Sequence, residues 1–206
     1  MGYHDFGVLR ISPNFTADDW SSLDMTVKDD WSQAAEIVRD RIEGRFLQHA
    51  HVCLESQDSG FVVLAIDSLL LETLQQFRCG LTDGRRQSGQ MVRAYLEGSQ
   101  FQPGFDEPAR KAFYEDIRCG LLHQAEARRM WLVRRDQDQM LRRVENGDGG
   151  YGYVIDVIKF HDALVQSFVD YLSELVDFEK PDLRSNLWEK MNHIYGIRRQ
   201  RAGLFS

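Results

Sequence analysis

Between Gly60 and Phe77 the chain sets Leu64, Ile66, Leu69, Leu70, Leu71, Leu74 and Phe77 around most of the circumference of a helix. A helix without a broad polar face has to be enclosed by other elements, so this one segment demands a bundle around it. Its longest uninterrupted apolar run, Phe61 to Ile66, is cut by Asp67 and then Glu72. That is far short of the roughly 20 residues of a membrane span, so the expectation is a central core helix and no membrane partner. Asp67 and Glu72 should then find basic partners, because a carboxylate kept inside a protein needs compensation.

The flanking segments supply the enclosing helices. Trp31 to Leu47 repeats apolar residues at Trp31, Ala34, Ala35, Val38, Ile42 and Phe46, which is helical spacing. A glycine-broken stretch from Arg78 to Gly89 precedes a short helix near Gln90 to Leu96. Glu107-Pro108 opens a helix to about Ala127, and Phe160 to Val176 and Asp182 to Tyr195 read as two more. Between them, Met130–Val133, Met140–Val144 and Tyr151–Val157 are short aromatic or β-branched runs, expected to form a small antiparallel β-hairpin or meander. The run Asn146-Gly-Asp-Gly-Gly150 reads as a turn, since neither Lys-Ser/Thr nor a helix follows it as a phosphate loop requires.

The predicted fold is mainly α, an up-and-down helical bundle in a single domain over residues 1–206. Residues 1–30 form an irregular N-terminal arm or a short strand pair around Phe6 to Ile11. Residues 31–127 form the bundle with a motif helix at 107–127, residues 128–158 the β-meander, and residues 159–206 the C-terminal helices.

Composition narrows the function classes. A net charge of −7 argues against a protein that coats nucleic acid nonspecifically, which relies on many Lys and Arg phosphate contacts. Positive charge is nevertheless concentrated locally: Arg118, Arg128, Arg129, Arg134, Arg135, Arg142 and Arg143 face only Glu126, Asp136 and Asp138 between Ile117 and Arg143. This run reads either as a solvated hairpin face or as a basic patch in which Arg128, Arg129 and Arg134 bind substrate. Cys53, Cys79 and Cys119 have neither metal-type nor CxxC spacing, which with the absence of a leader-like N-terminus predicts free thiols and a cytoplasmic location. No Glu-x-x-His, His-Glu-x-x-His, Gly-x-Ser-x-Gly or Walker sequence occurs, so no metal site and no cofactor is expected.

One constellation remains. Arg118 and His123 are separated by four residues late in the Glu107 helix, among apolar Ile117, Leu121 and Leu122. A permanent charge and a titratable ring set into a packing surface are expensive there. His can move protons in both directions near neutral pH, and a planar guanidinium can bridge the negative charge of a phosphorane. Five residues advance an ideal helix by about 500°, so the two side chains start about 140° apart and do not share a face. A two-fold dimer would bring both residues from both copies into one cleft. The structural alternative pairs Arg118 with Asp116, Glu115 or Glu72 and leaves His123 without a ligand. Arg45 and His51, separated by five residues at the expected end of the first helix, satisfy a looser version of the same spacing.

Phe113-Tyr-Glu-Asp-Ile-Arg-Cys-Gly-Leu-Leu-His-Gln124 resembles the signature helix of HEPN domains, whose hallmark is Arg, four to six residues, then His. The resemblance covers this helix in motif and about residues 31–176 in architecture. It implies a four- or five-helix bundle that dimerises across the motif and cleaves RNA without metal, often in defence or toxin-antitoxin systems with a cognate antitoxin or regulatory protein. It assigns catalysis to Arg118 and His123, and Glu72 and Asp116 are the expected supporting residues. Cys119 stands where catalytic members often carry a polar residue, commonly Asn, and is expected to be a small packing residue. A non-catalytic HEPN-like binding or dimerisation module is the alternative.

Overall fold

The computed structural model describes residues 9–128, 131–145, 149–177 and 179–202. The chain is mainly helical with one small sheet. Its helices are α1 (Ala17–Ser21), α2 (Lys28–Ile42), α3 (Gln48–Cys53), α4 (Gly60–Cys79), α5 (Ser88–Tyr95), α6 (Glu107–Ala112), α7 (Cys119–Gln124), α8 (Val157–Val176) and α9 (Pro181–Ala202). Wide turns of π type at Glu43–Leu47 and Phe113–Arg118 join α2 to α3 and α6 to α7, so each pair forms one nearly continuous rod.

The expected core helix is α4. It touches α3, α5, α8, α9 and the turn Phe113–Arg118, and buries Val63, Leu64, Leu70, Leu71, Leu74 and Phe77. By length and composition α4 is the one described helix that could cross a membrane. Here it is the axis of the bundle, and its Asp67, fully buried, pairs with His161 of α8 across 3.0 Å. Glycine in the left-handed conformation at Gly80 ends it.

The sheet differs from the expected meander. Strands β1 (Trp131–Arg134), β2 (Leu141–Glu145) and β3 (Tyr151–Asp156) lie in the order β1-β3-β2. The β2–β3 hairpin is antiparallel as expected, but β1 runs parallel to β3 on its other side. The reason is in the side chains. In β2, Arg142, Arg143 and Glu145 are all exposed, which suits an edge. In β3 every residue from Gly152 to Asp156 is buried, so this strand takes the centre. The sheet docks through a chain of rings: Tyr153 lies 4.7 Å from Trp131, Trp131 6.0 Å from Phe113, and Phe113 5.1 Å from Phe160 of α8.

Near the N-terminus the strand pair expected around Phe6 to Ile11 lies partly outside the described residues. From Leu9 onward there is a single bridge between Arg10 and Thr16, followed by α1, a helix the sequence reading missed. Thr16 and Asp19 cap it reciprocally. The turn at Asn146-Gly-Asp148 also falls outside the described residues.

Candidate functional site

The motif helix is built in three parts. Asp106 accepts from the backbone N–H of Ala109 at 2.9 Å and starts α6, with Pro108 in the first turn. The wide turn Phe113–Arg118 buries Phe113, Asp116 and Ile117. Then α7 runs to Gln124 and stops at Ala125, whose φ of 56° is left-handed. The chain doubles back immediately: the N–H of Arg128 donates to Asp116 O at 2.9 Å, and a Cβ on Gly120 would lie 2.5 Å from Glu126 O. Gly120 is thus the residue that lets the return loop lie on the helix.

This construction separates the two motif residues. Arg118, 20% exposed, turns toward α4 and its Nη2 donates to Glu72 Oε2 at 2.8 Å. The Tyr114 ring lies 5.8 Å from its guanidinium carbon. His123 is exposed in the last turn of α7, beside Leu122, which is 51% exposed. The divergence follows from helical geometry, as five residues do not return to the same face. Of the three carboxylates considered for Arg118, Glu72 is its ion-pair partner.

Glu72 has further contacts that sequence reasoning missed. Ser88, the first residue of α5, donates from Oγ to the same Oε2 at 2.6 Å, and Gln76 Nε2 lies 3.4 Å from Oε1. Lys190 of α9, 7% exposed, donates to Gln76 Oε1 at 2.8 Å and to Thr82 O at 3.3 Å. Burial pulls the Lys190 ammonium below its ordinary value, against the opposing pull of Cys79, Asp83 and Glu72. The one local signal for this group was the four-residue step from Glu72 to Gln76 on one helix face. Ser88 and Lys190 come from remote segments with no periodic mark.

No family model, curated protein or solved structure matches the chain. What the site can do therefore rests on its own geometry.

Asp116, expected beside the motif arginine, is 3% exposed and its Oδ2 accepts from the Trp131 indole N–H at 3.3 Å, so it braces the sheet. Of the arginines expected to bind substrate, Arg128 is half-buried and donates to Gln124 Oε1 at 3.1 Å, and Arg134 is exposed. Arg129 lies outside the described residues. Arg135, in the same basic run, serves the fold: it donates to Leu54 O, Ser56 O and Ser59 Oγ and ties down the loop before α4. Arg143 lies 3.6 Å from the Tyr151 ring centre. Cys119 is a half-buried free thiol.

Among the described residues no group of three or more His, Cys, Asp and Glu is placed to hold a metal. Two cavities open on the sheet: one of about 260 Å³ by Asp138, Arg142 and Val154, one of about 360 Å³ by Phe61, Arg134 and Val157. Neither is lined by Arg118 or His123.

Proposed function

We propose that the chain is a HEPN-like, metal-independent endoribonuclease that works as a homodimer. The observation that carries this reading is the state of Arg118. Glu72 holds it by Nη2, and among the described residues no hydrogen bond engages Nη1, while Nε is buried without a partner. A guanidinium held through Nη2 keeps the N–H donors of Nη1 for a phosphate, whose transition-state charge it would stabilise. His123, exposed in the same motif, is the general acid and base for attack of a ribose 2′-OH on the neighbouring phosphate.

In this reading a second copy of the chain completes the cleft. Leu69 on α4 is 42% exposed and Leu122 on α7 is 51% exposed. Leu69 stands three residues before Glu72 and Leu122 four residues after Arg118, so each member of the ion pair has an exposed leucine close to it in the chain. Two-fold contact there brings two motifs together. In the setting that the resemblance implies, a defence or toxin-antitoxin system, a cognate antitoxin would cover the same face.

One observation favours the second reading, a non-catalytic HEPN-like binding or dimerisation module: within one chain Arg118 is engaged by Glu72 and His123 lies on another face. The two readings separate when the purified protein is incubated with mixed RNA in EDTA. The enzyme gives fragments ending in 2′,3′-cyclic phosphate, and His123→Ala lowers their rate by roughly 100- to 10,000-fold. The module gives no fragments from any version.

A further inference from the structure

The group around Glu72 draws on four separate parts of the chain, and only Arg118 and Glu72 belong to the reading above. Both Ser88 and Arg118 donate to Glu72 Oε2, at 2.6 Å and 2.8 Å. On the other oxygen sits Gln76, itself held by Lys190 at 2.8 Å. The position of Ser88 is fixed by close packing, since a Cβ on the adjacent Gly89 would lie 2.8 Å from the Tyr114 ring. Tyr114 stands one turn before Arg118, so the contact that seats the start of α5 also belongs to the motif helix.

We infer that Ser88 is a positioning residue for Arg118, acting by fixing the rotation of the Glu72 carboxylate. A carboxylate and a guanidinium left to themselves favour a two-point pairing, with both oxygens against two N–H groups. Ser88 on Oε2 and Gln76 on Oε1 hold the carboxylate in a one-point contact. Arg118 therefore keeps Nη1 for an incoming phosphoryl group, while its Nε stays buried. Without the Ser88 hydroxyl the carboxylate turns, takes Arg118 by two points and withdraws it from that role. Lys190, through Gln76, holds the opposite oxygen from α9, so the C-terminal helix supports the same geometry.

The inference rests on the proposed role of Arg118 for its kinetic consequence and not for its structural one, and the two are separable. The test uses Ser88→Ala and Ser88→Thr in the full-length protein, with Thr retaining the hydroxyl. The first readout is the Arg118 side-chain Nε–Hε resonance and its hydrogen-exchange rate, assigned with Arg118→Lys. Ser88→Ala is expected to move this resonance and change its exchange, and Ser88→Thr to restore both. The second readout is RNA cleavage, where Ser88→Ala is expected to lower kcat by roughly 10- to 100-fold with KM nearly unchanged, again rescued by Thr. If the wild type cleaves no RNA, the nuclease reading fails and the resonance alone decides on positioning. An Arg118 signal identical in wild type and Ser88→Ala overturns the inference whether or not RNA is cleaved.

Discussion

The indole N–H of Trp131 donates to the Asp116 carboxylate across 3.3 Å, fastening the first residue of the sheet to the middle of the motif helix. Both residues are buried, at 7% and 3% exposure. Trp131→Phe keeps the ring stacking and removes the donor. It should lower stability by about 0.5–1.5 kcal/mol, the net worth of one hydrogen bond, because Asp116 keeps other interactions. Urea unfolding followed by far-UV circular dichroism measures it, and an unchanged midpoint would mean that Asp116 is satisfied without the indole.

This contact shows where the sequence was legible and where it was not. The helices at Trp31, Gly60, Glu107, Phe160 and Asp182 were readable because a 3.6-residue period survives inside a single segment. The parallel pairing of β1 with β3 was not, since it depends on competition among three strands for the central place. Its clue was compositional: β2 carries Arg142, Arg143 and Glu145, and β3 carries none until Asp156. Glu72 as a partner of Arg118 followed from the cost of a carboxylate on the core helix. Ser88 and Lys190 left no trace, because residues 88, 118 and 190 meet only in three dimensions. Asp116 was placed beside the motif arginine by proximity in sequence, and the helical turn carried it to the sheet instead.

Asp67 makes stability fall as pH rises. Burial pushes its carboxyl above the ordinary 3.8, with the hydrogen bond and charge of His161 only partly opposing. Below 3.8 the acid is protonated whether the chain is folded or not. As pH climbs from there to the higher folded-state value, the unfolded chain ionises first and the fold loses free energy; above that value the loss is constant. Asp67→Asn should remove this decline. Its Oδ1 can still accept from His161, and Asp67 Oδ2 has no partner to lose. Urea midpoints from pH 4 upward should converge with wild type at the acid end and exceed it at neutrality. Parallel profiles would show that the pair is not penalised by burial.

Glu72→Gln should reduce both stability and the ordering of Arg118. The amide keeps a hydrogen-bond acceptor for Nη2 but no negative charge for the guanidinium. Because the two side chains retain 20% and 18% exposure, the loss should be about 1–3 kcal/mol, below that of a sealed pair. Arg118→Lys should fold more nearly like wild type yet lose cleavage, since Lys lacks the planar fork. Thermal unfolding and an RNA cleavage assay on the two variants measure this, and a fully active Arg118→Lys protein would remove the bridging role.

Cys119→Ser should leave cleavage within a few-fold of wild type. The thiol is half-buried and free, and the proposed chemistry gives it no step. Loss of cleavage in a folded, dimeric Cys119→Ser protein would give the sulfur a chemical role.

The sharpest test of a shared cleft is complementation between two inactive copies. If two motifs meet across a two-fold axis, each homodimer of Arg118→Ala lacks both arginines and each homodimer of His123→Ala lacks both histidines. A mixed dimer of the two variants keeps one Arg118 and one His123, from different subunits, facing the same cleft. Co-expressing the variants with different affinity tags and purifying through both should therefore recover cleavage that neither variant has alone. Adding Leu122→Asp to both chains should abolish the recovery, because a charge on a residue that is 51% exposed in one chain would have to be buried between two. Light scattering on Leu122→Asp alone should then show a monomer. If each chain instead acts by itself, the mixed sample stays inactive while still dimeric, and the shared-cleft mechanism is wrong.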